Sequence, residues 1–218
     1  MTVDEFDLEF DILYNNIASN AAPSIDKYEK SVLLTQAQRD IVIGLYSGRA
    51  VQGVSFESTE EARSYLRELI TETTVSVGNP KSYLSKNRYT IELDPDVLFI
   101  LSEDAYNATE DKHYLVFPTR HDFLYKDIRN PFRGPNENRV LRVDCENGIH
   151  IYSKGVLTNY AYSYIRKPNP IIIGDDNTDL TIDGSSTKFN SECELNPILH
   201  EVILDRAVAL AKEAYIGK

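Results

Sequence analysis

The chain has little sulfur and lacks tryptophan. Its 218 residues include two cysteines, one methionine and no tryptophan, but 14 tyrosines. Cys145 and Cys193 are too few for the disulfide framework of a small secreted domain, so we expect both to be free thiols in a reducing compartment. Tyrosine suits surfaces that are apolar on one side and wet on the other. Its abundance therefore favours many half-buried or interface positions.

The sequence also lacks an excess of positive charge and any long apolar run. Its 34 acidic and 23 basic residues give a net charge of −11, which argues against a protein that neutralises duplex DNA with a basic face. No apolar segment approaches the ~20 residues of a membrane-spanning helix. The acidic first residues do not resemble a signal peptide. These absences favour a globular protein, and a chain of this length most often forms one domain.

Motifs that carry chemistry are missing as well. The chain has no phosphate-binding loop and no serine in a nucleophile elbow. His200-Glu201 begins like a zinc-protease helix, but Leu204 stands where the second histidine is needed. The acidic segment from Asp175 begins like a calcium loop, but Leu180 occupies the glycine position. We therefore predict no catalytic, cofactor-binding or metal-binding residues and no enzymatic activity.

Four long helices are predicted from capping signals and apolar periodicity. They begin at Thr2, at Ser24 or Asp26, at Ser58 and at Asn196. Thr2 and Glu5 have the spacing of a capping box, and Pro197 stands at a first helical position. We expect nine apolar side chains of these helices to be buried together: Phe10, Leu13, Val32, Ile41, Leu66, Leu69, Leu199, Val202 and Leu210.

The middle of the chain has the pattern of strands. Short apolar or alternating runs are found at 89–93, 97–101, 113–117, 140–144, 149–152 and 160–166, with a short helix expected over 119–128. Helices followed by strands and a closing helix predict an α+β fold rather than α/β. We expect a small helical bundle, closed by a long C-terminal helix, with an inserted antiparallel β region. The prediction is a single domain over 1–218, with helical parts at about 1–75 and 195–218 and the β-rich insertion at about 85–194.

Several segments together resemble a known family. A tyrosine-rich strand ends in Tyr164-Ile165-Arg166-Lys167-Pro168, and the final helix is entered through residues 193–200. Residues 6–17, 23–38, 118–122 and 130–135 complete the set. These segments resemble the head-to-tail adaptor, or ring, proteins of short-tailed phages, and most of all the ring proteins of crAss-like bacteriophages.

The resemblance implies a structural virion protein in the portal–tail connector. It implies a dodecameric ring with a central channel, through which DNA passes without specific binding. The partners would be other copies of the chain, the portal protein and neighbouring tail ring proteins, with no membrane and no cofactor. The location would be the virion, after assembly in the host bacterial cytoplasm. Many adaptors end in an extended tail that climbs the portal. Here we expect docking to use helix faces or internal loops.

Five residues are candidates for subunit interfaces. Phe132 and Arg133 lie in a loop between two prolines, and both are residue types enriched at interface centres. Tyr164, Arg166 and Lys167 form the end of the tyrosine-rich strand. The alternative for the loop is that Phe132 packs on its own subunit. The alternatives for the protein are a soluble, non-catalytic module that binds a peptide or small ligand, and an enzyme with a dispersed site.

Overall fold

The computed structural model describes residues 1–17, 24–48, 60–146, 148–177 and 179–216. The chain divides into two compact units: unit 1 is 1–69 with 167–218, and unit 2 is 70–166. The elements in chain order are α1 (Val3–Ile17), α2 (Lys27–Ser47), α3 (Glu60–Leu66), β1 (Ile70–Ser76), β2 (Lys81–Tyr83), β3 (Lys86–Glu92), β4 (Val97–Asn107), β5 (Lys112–Pro118), α4 (His121–Arg129), β6 (Arg139–Cys145), β7 (Gly148–Ser153), β8 (Asn159–Arg166), β9 (Thr181–Ile182), β10 (Ser185–Ser186) and α5 (His200–Ile216). Short 3₁₀ turns at Arg67–Leu69 and Pro197–Leu199 precede β1 and α5. Within the described ranges, no helix is long and apolar enough to cross a membrane.

In unit 1, helix α1 begins with the predicted capping box. The Thr2 backbone N–H donates to Glu5 Oε2 at 2.7 Å, and the Glu5 N–H donates to Thr2 Oγ1 at 3.3 Å. The buried residues of the helix then recur every three or four positions, at Val3, Phe6, Phe10 and Tyr14. This face packs against α5 and α2, so residues from both ends of the chain form one core.

Helix α2 is capped by Asp26, and Glu29 completes a capping box with it. The helix ends at Gly48, whose φ of 69° is in the left-handed region that glycine adopts without a penalty. Its buried face is partly polar, because it binds the backbone of an extended segment. Thr35 Oγ1 accepts from the Ile171 N–H at 3.2 Å, and Ser31 Oγ accepts from the Ile173 N–H at 2.9 Å.

Unit 2 is built on an eight-stranded sheet with the order β1-β8-β4-β5-β6-β7-β3-β2. Neighbouring strands are antiparallel except β5 and β6, which are parallel. A parallel pair needs a crossover connection, and α4 lies in it. Alternate residues of β6 point to opposite faces: Val140 joins a large core cluster rich in tyrosine, while Leu141 and Val143 join a second cluster with Ile128 of α4.

The expected small helical bundle with an inserted antiparallel β region is wrong. The chain is a mixed α+β protein in which the eight-stranded sheet is the main element of unit 2, and one strand pair is parallel. The third predicted helix was extended too far: α3 ends at Leu66, and Ile70 already begins β1. The predicted start of that helix, Ser58, lies outside the described residues. Strand β1 was missed because two of its three half-buried positions are threonine, and β2 was missed because it has only three residues. The run at 97–101 is part of an eleven-residue strand.

The predicted helix core is confirmed in part. Phe10, Leu66, Leu69 and Leu199 are buried, and Leu13, Ile41 and Leu210 are half-buried. Val32 and Val202 are exposed, so their predicted burial is wrong. In α5, Val202 lies off the side that faces the core. The 3₁₀ turn before the helix is capped as predicted by Asn196, whose Oδ1 accepts from the Ile198 N–H at 3.1 Å. The stripe that faces inward is instead Ile203, Leu204, Ala207, Val208 and Ala211.

Candidate assembly surface

Unit 2 exposes a group of large apolar side chains around α4. Leu115 and Phe117 are on β5, Phe123 and Tyr125 are on α4, and Phe132 is in the loop at 130–136; Phe132 is 86% exposed. Basic side chains accompany them. We call this set the aromatic–basic surface: Leu115, Phe117, Phe123, Tyr125 and Phe132 with Arg120, Lys126, Arg129, Arg133 and Arg139.

Helix α4 forms because one face is buried in unit 2. Leu124 and Ile128, four residues apart, pack in the second core cluster with Leu141 and Val143. The short helix expected over 119–128 is found at His121–Arg129, and no side-chain cap is formed at Arg120. Its basic last turn complements the negative end of the helix dipole. Packing of Leu124 and Ile128 holds the helix against the sheet, and its outer face is exposed to solvent.

The outer face of α4 pairs aromatic rings with cations. The Arg120 guanidinium lies 5.7 Å from the Phe123 ring centre, and Lys126 Nζ lies 6.0 Å from the same ring. The Arg129 guanidinium lies 4.6 Å from the Tyr125 ring centre. Such contacts are worth about 0.5–1 kcal/mol when exposed and more when water is removed. The surface therefore gains energy when a partner covers it.

The loop at 130–136 has a fixed shape. The side-chain oxygen of Asn130 accepts from the N–H groups of Phe132 and Arg133 at 2.8 and 3.3 Å, and the Gly134 N–H donates to the Asn130 carbonyl at 2.7 Å. Arg139 donates to the carbonyls of Phe132 and Gly134. A side chain at Gly134 would place its Cβ 2.7 Å from the Asn130 carbonyl oxygen. The loop therefore presents the Phe132 ring without large freedom of its backbone.

Arg139 connects this loop to strand β5. Its guanidinium lies 5.2 Å from the Phe117 ring centre, and its backbone is the register partner of Leu115 in the parallel β5–β6 pair. The same side chain binds the Phe132 carbonyl. Arg139 thus links strand β5 to the loop, and α4 leads directly into that loop at Asn130.

The five predicted interface residues fall in two places. Phe132 and Arg133 are exposed in the loop, and the exposure of Phe132 opposes the alternative that it packs on its own chain. Tyr164 is buried in the core of unit 2, with its ring centre 5.3 Å from that of Tyr162. Arg166 is half-buried at the end of β8, and Lys167 is exposed. An interface role for any of the five stays a prediction.

Four surface residues were missed at the level of sequence: Phe123, Tyr125, Lys126 and Arg129. A signal for them exists in the segment HDFLYKDIR. Leu124 and Ile128 satisfy the inward positions of one helical face, so two neighbouring aromatic residues must lie on its flanks. Aromatic residues on the flanks of a short helix, next to cations, indicate an interface rather than a core.

The buried titratable groups of unit 2 form a structural network. Arg142 lies 2.8 Å from Glu103, and the Tyr160 hydroxyl donates to the same carboxylate. Burial, with the Glu103 charge beside it, raises the pKa of Tyr160 far above its usual range, so the phenol remains a hydrogen-bond donor. Among the described residues, no three His, Cys, Asp or Glu side chains are grouped as metal ligands. The network can orient side chains within the sheet.

Charge is distributed unevenly between the two units. Unit 1 has 21 acidic and 11 basic residues, whereas unit 2 has 13 acidic and 12 basic residues. The net charge of the chain is therefore almost all on unit 1. Unit 2 is close to neutral, and five of its 12 basic residues belong to the aromatic–basic surface.

A preorganised apolar and cationic surface is typical of an assembly protein. Residues 1–217 match the family described as "Phage tail ring protein 3/4", and the chain belongs to this family. It is 41% identical to "Ring protein 3" of Bacteroides phage crAss001, over 97% of this chain and 95% of that protein. It is 35% identical to "Ring protein 4/5" of the same phage, over 100% of this chain and 94% of that protein. The predicted resemblance to ring proteins is thus confirmed, and the chain has a structural role in the phage tail and belongs to the virion.

Proposed function

We propose that the protein forms a ring in the portal–tail connector of a phage and that DNA passes through the ring. The observation that carries the proposal is the match to a tail ring family over nearly the whole chain. The aromatic–basic surface supports it, because a ring subunit needs apolar surface that its own core does not use. We expect a dodecamer, as in the adaptors that the chain resembles.

The charge of the protein is consistent with a channel for DNA. A net charge of −11 repels phosphate at long range. A surface that repels DNA weakly allows it to slide without being held. We propose that the surface lining the channel is acidic or neutral and that it makes no specific contact with bases.

The proposed partners are other copies of the chain, the portal protein and neighbouring tail ring proteins. Assembly would take place in the host bacterial cytoplasm, before the particle is complete. The role would be mechanical rather than catalytic. Glu103 supports this view, since it is held within the sheet by half-buried Arg142 and buried Tyr160.

Cryo-electron microscopy of the phage particle tests the proposal directly. The expected result is a ring of this chain between portal and tail, with a channel wide enough for duplex DNA. Native mass spectrometry of the isolated protein gives the copy number of any ring that forms in solution. The proposal would be contradicted if density for the chain lay elsewhere in the particle, or if its assembled subunits enclosed no channel.

A further inference from the structure

The outer face of α1 has the opposite character to the aromatic–basic surface. Asp4, Leu8 and Ile12 follow one another at intervals of four residues, so they lie in one row along the helix. Leu8 is 65% exposed and Ile12 is 49% exposed. Glu5 and Glu9 are exposed beside this row. We call these five residues the α1 outer face. It is an apolar stripe with acidic residues on its flanks.

The geometry points to contact between the α1 outer face of one subunit and the aromatic–basic surface of the adjacent copy of the chain. This inference rests on the proposed ring and names the contact that would build it. The two surfaces belong to different parts of the chain. An interface between two different patches is heterologous and repeats head to tail, which is what a closed ring requires.

Complementary chemistry supports this pairing. Leu8 and Ile12 offer apolar surface for the Phe123 and Tyr125 rings, which flank the outer face of α4. Asp4 and Glu9 offer carboxylates for Lys126 and Arg129, and charge pairs of this kind fix orientation and speed association. Covering the rings also strengthens the cation–π contacts already present on α4.

Symmetric pairing of either surface with itself is disfavoured. It would place Lys126 and Arg129 against the same cations of the second subunit, or Asp4 and Glu9 against the same carboxylates. Asp122 and Asp127 are the two acidic residues of α4, and Asp122 lies 3.4 Å from Arg120 within the same chain. Like charges that lose water next to each other are strongly unfavourable. The adjacent subunit is therefore the occupant that the charges favour.

Charge reversal tests the contact. Lys126→Glu with Arg129→Glu should abolish ring formation in native mass spectrometry, and Asp4→Lys with Glu9→Lys should do the same. Combining all four changes should restore rings, because the opposite charges meet again with their positions exchanged. Lys81→Glu with Lys86→Glu makes the same change of charge at the β2–β3 hairpin and should leave assembly unchanged. Circular dichroism verifies that each variant is folded.

The rescue separates this inference from the proposed function. If the parent forms rings and both reversed variants still form them, the contact is wrong while the ring stands. If the variants lose rings and the four-fold variant does not recover them, the pairing is also overturned. A parent that forms no ring in the particle contradicts the proposed function itself.

Cross-linking in the assembled particle provides a second measurement. Cysteines introduced by Ile12→Cys and Tyr125→Cys should be joined between subunits by a short bismaleimide, and either change alone should give no dimer. Absence of the cross-link in intact rings would overturn the contact.

The alternative occupant of the aromatic–basic surface is DNA. Retention of duplex DNA by the parent, lost on Lys126→Glu with Arg129→Glu, would assign the surface to DNA instead.

Discussion

Phe132 is a bulky apolar side chain that its loop holds in solvent. Replacing Phe132 and Arg133 together with alanine should change the free energy of unfolding by no more than about 0.5 kcal/mol, because surface substitutions away from packed features have small effects. Ring assembly or tail attachment should nevertheless fall at least tenfold, because Phe132 and Arg133 are proposed to anchor a subunit interface. Urea unfolding and particle yield measure the two effects.

Phe189→Ala is the matched control for this double variant. Phe189 is also largely exposed, at 75%, but it lies in unit 1. If both variants reduce assembly equally, exposure of an aromatic ring explains the loss and the loop has no special role. Unchanged yield and tail attachment with the double variant would exclude the loop as an assembly element.

Gly134 determines the shape of the same loop. In Gly134→Ala the new methyl group would meet the carbonyl oxygens of Asn130 and Asp127 at 2.7 and 2.8 Å. The backbone must move, and we expect a loss of about 1–3 kcal/mol in the free energy of unfolding, as for other overpacked sites. Gly78→Ala is the control, because its methyl group would meet nothing within 4 Å. Equal stability of the two variants in urea unfolding would contradict the proposed rigidity.

The two cysteines are free, as expected from their number. Burial raises the pKa of the Cys193 thiol to about 11, so little thiolate is present at pH 8. Alkylation of Cys193 by iodoacetamide should therefore be at least tenfold slower in the folded protein than in urea, and it should accelerate as the pH rises toward 11. Peptide mass spectrometry follows the reaction. Equal rates in the folded and unfolded protein would show that the thiol is not shielded.

Among the helices, the start of α2 gives the clearest test. The sequence left Ser24 and Asp26 as alternative caps, and the structure assigns the cap to Asp26, whose side chain accepts from the Glu29 N–H at 2.7 Å. Asp26→Ala should cost about 1 kcal/mol of stability, the usual effect of removing a cap. Ser24→Ala should be neutral within experimental error. A reversed order in thermal or urea unfolding would contradict the assignment.

Local signals predicted those elements whose cause is local. The caps at Thr2, Asp26 and Asn196 were visible because the residues involved are close in sequence. Strand β1 was not visible. Its residues Thr71 and Thr73 become half-buried because the strand pairs with β8, about 90 residues later in the chain. A strand defined by its distant partner has a weak pattern of its own.

The candidate surface was predicted only in its loop. Pro and Gly around Phe132 marked an unusual loop, but nothing local showed that Phe117 would lie next to Arg139. That contact depends on the parallel β5–β6 pair, whereas an antiparallel region was expected. Val202 was misplaced for a related reason. The apolar residues of α5 allow more than one helical stripe, and packing against α1 and α2 selects the stripe that contains Ile203 and Ala207.

For the whole molecule, the separation of charge leads to a prediction about DNA. The isolated protein should not retain a 30-base-pair duplex at physiological salt in a mobility-shift assay, because a net charge of −11 outweighs the basic residues around α4. Lowering the salt should strengthen the repulsion, since screening is then weaker. Tight, salt-sensitive binding of the duplex would contradict the proposal that the channel surface is acidic or neutral.

Unit 1 is made from two separate parts of the chain, and this affects when a subunit can be completed during synthesis. Helix α1 lies before unit 2 and α5 after it, and the Phe6 ring lies 5.6 Å from that of His200. A ribosome adds about 5–20 residues per second, so roughly 10–40 s pass between translation of the two helices. Unit 2 is continuous and can fold in this interval, whereas α1 has to wait for α5. The nascent chain thus forms its aromatic–basic surface before α1 packs against α5. Ring closure, which needs both surfaces, therefore has to wait until the whole subunit has been translated.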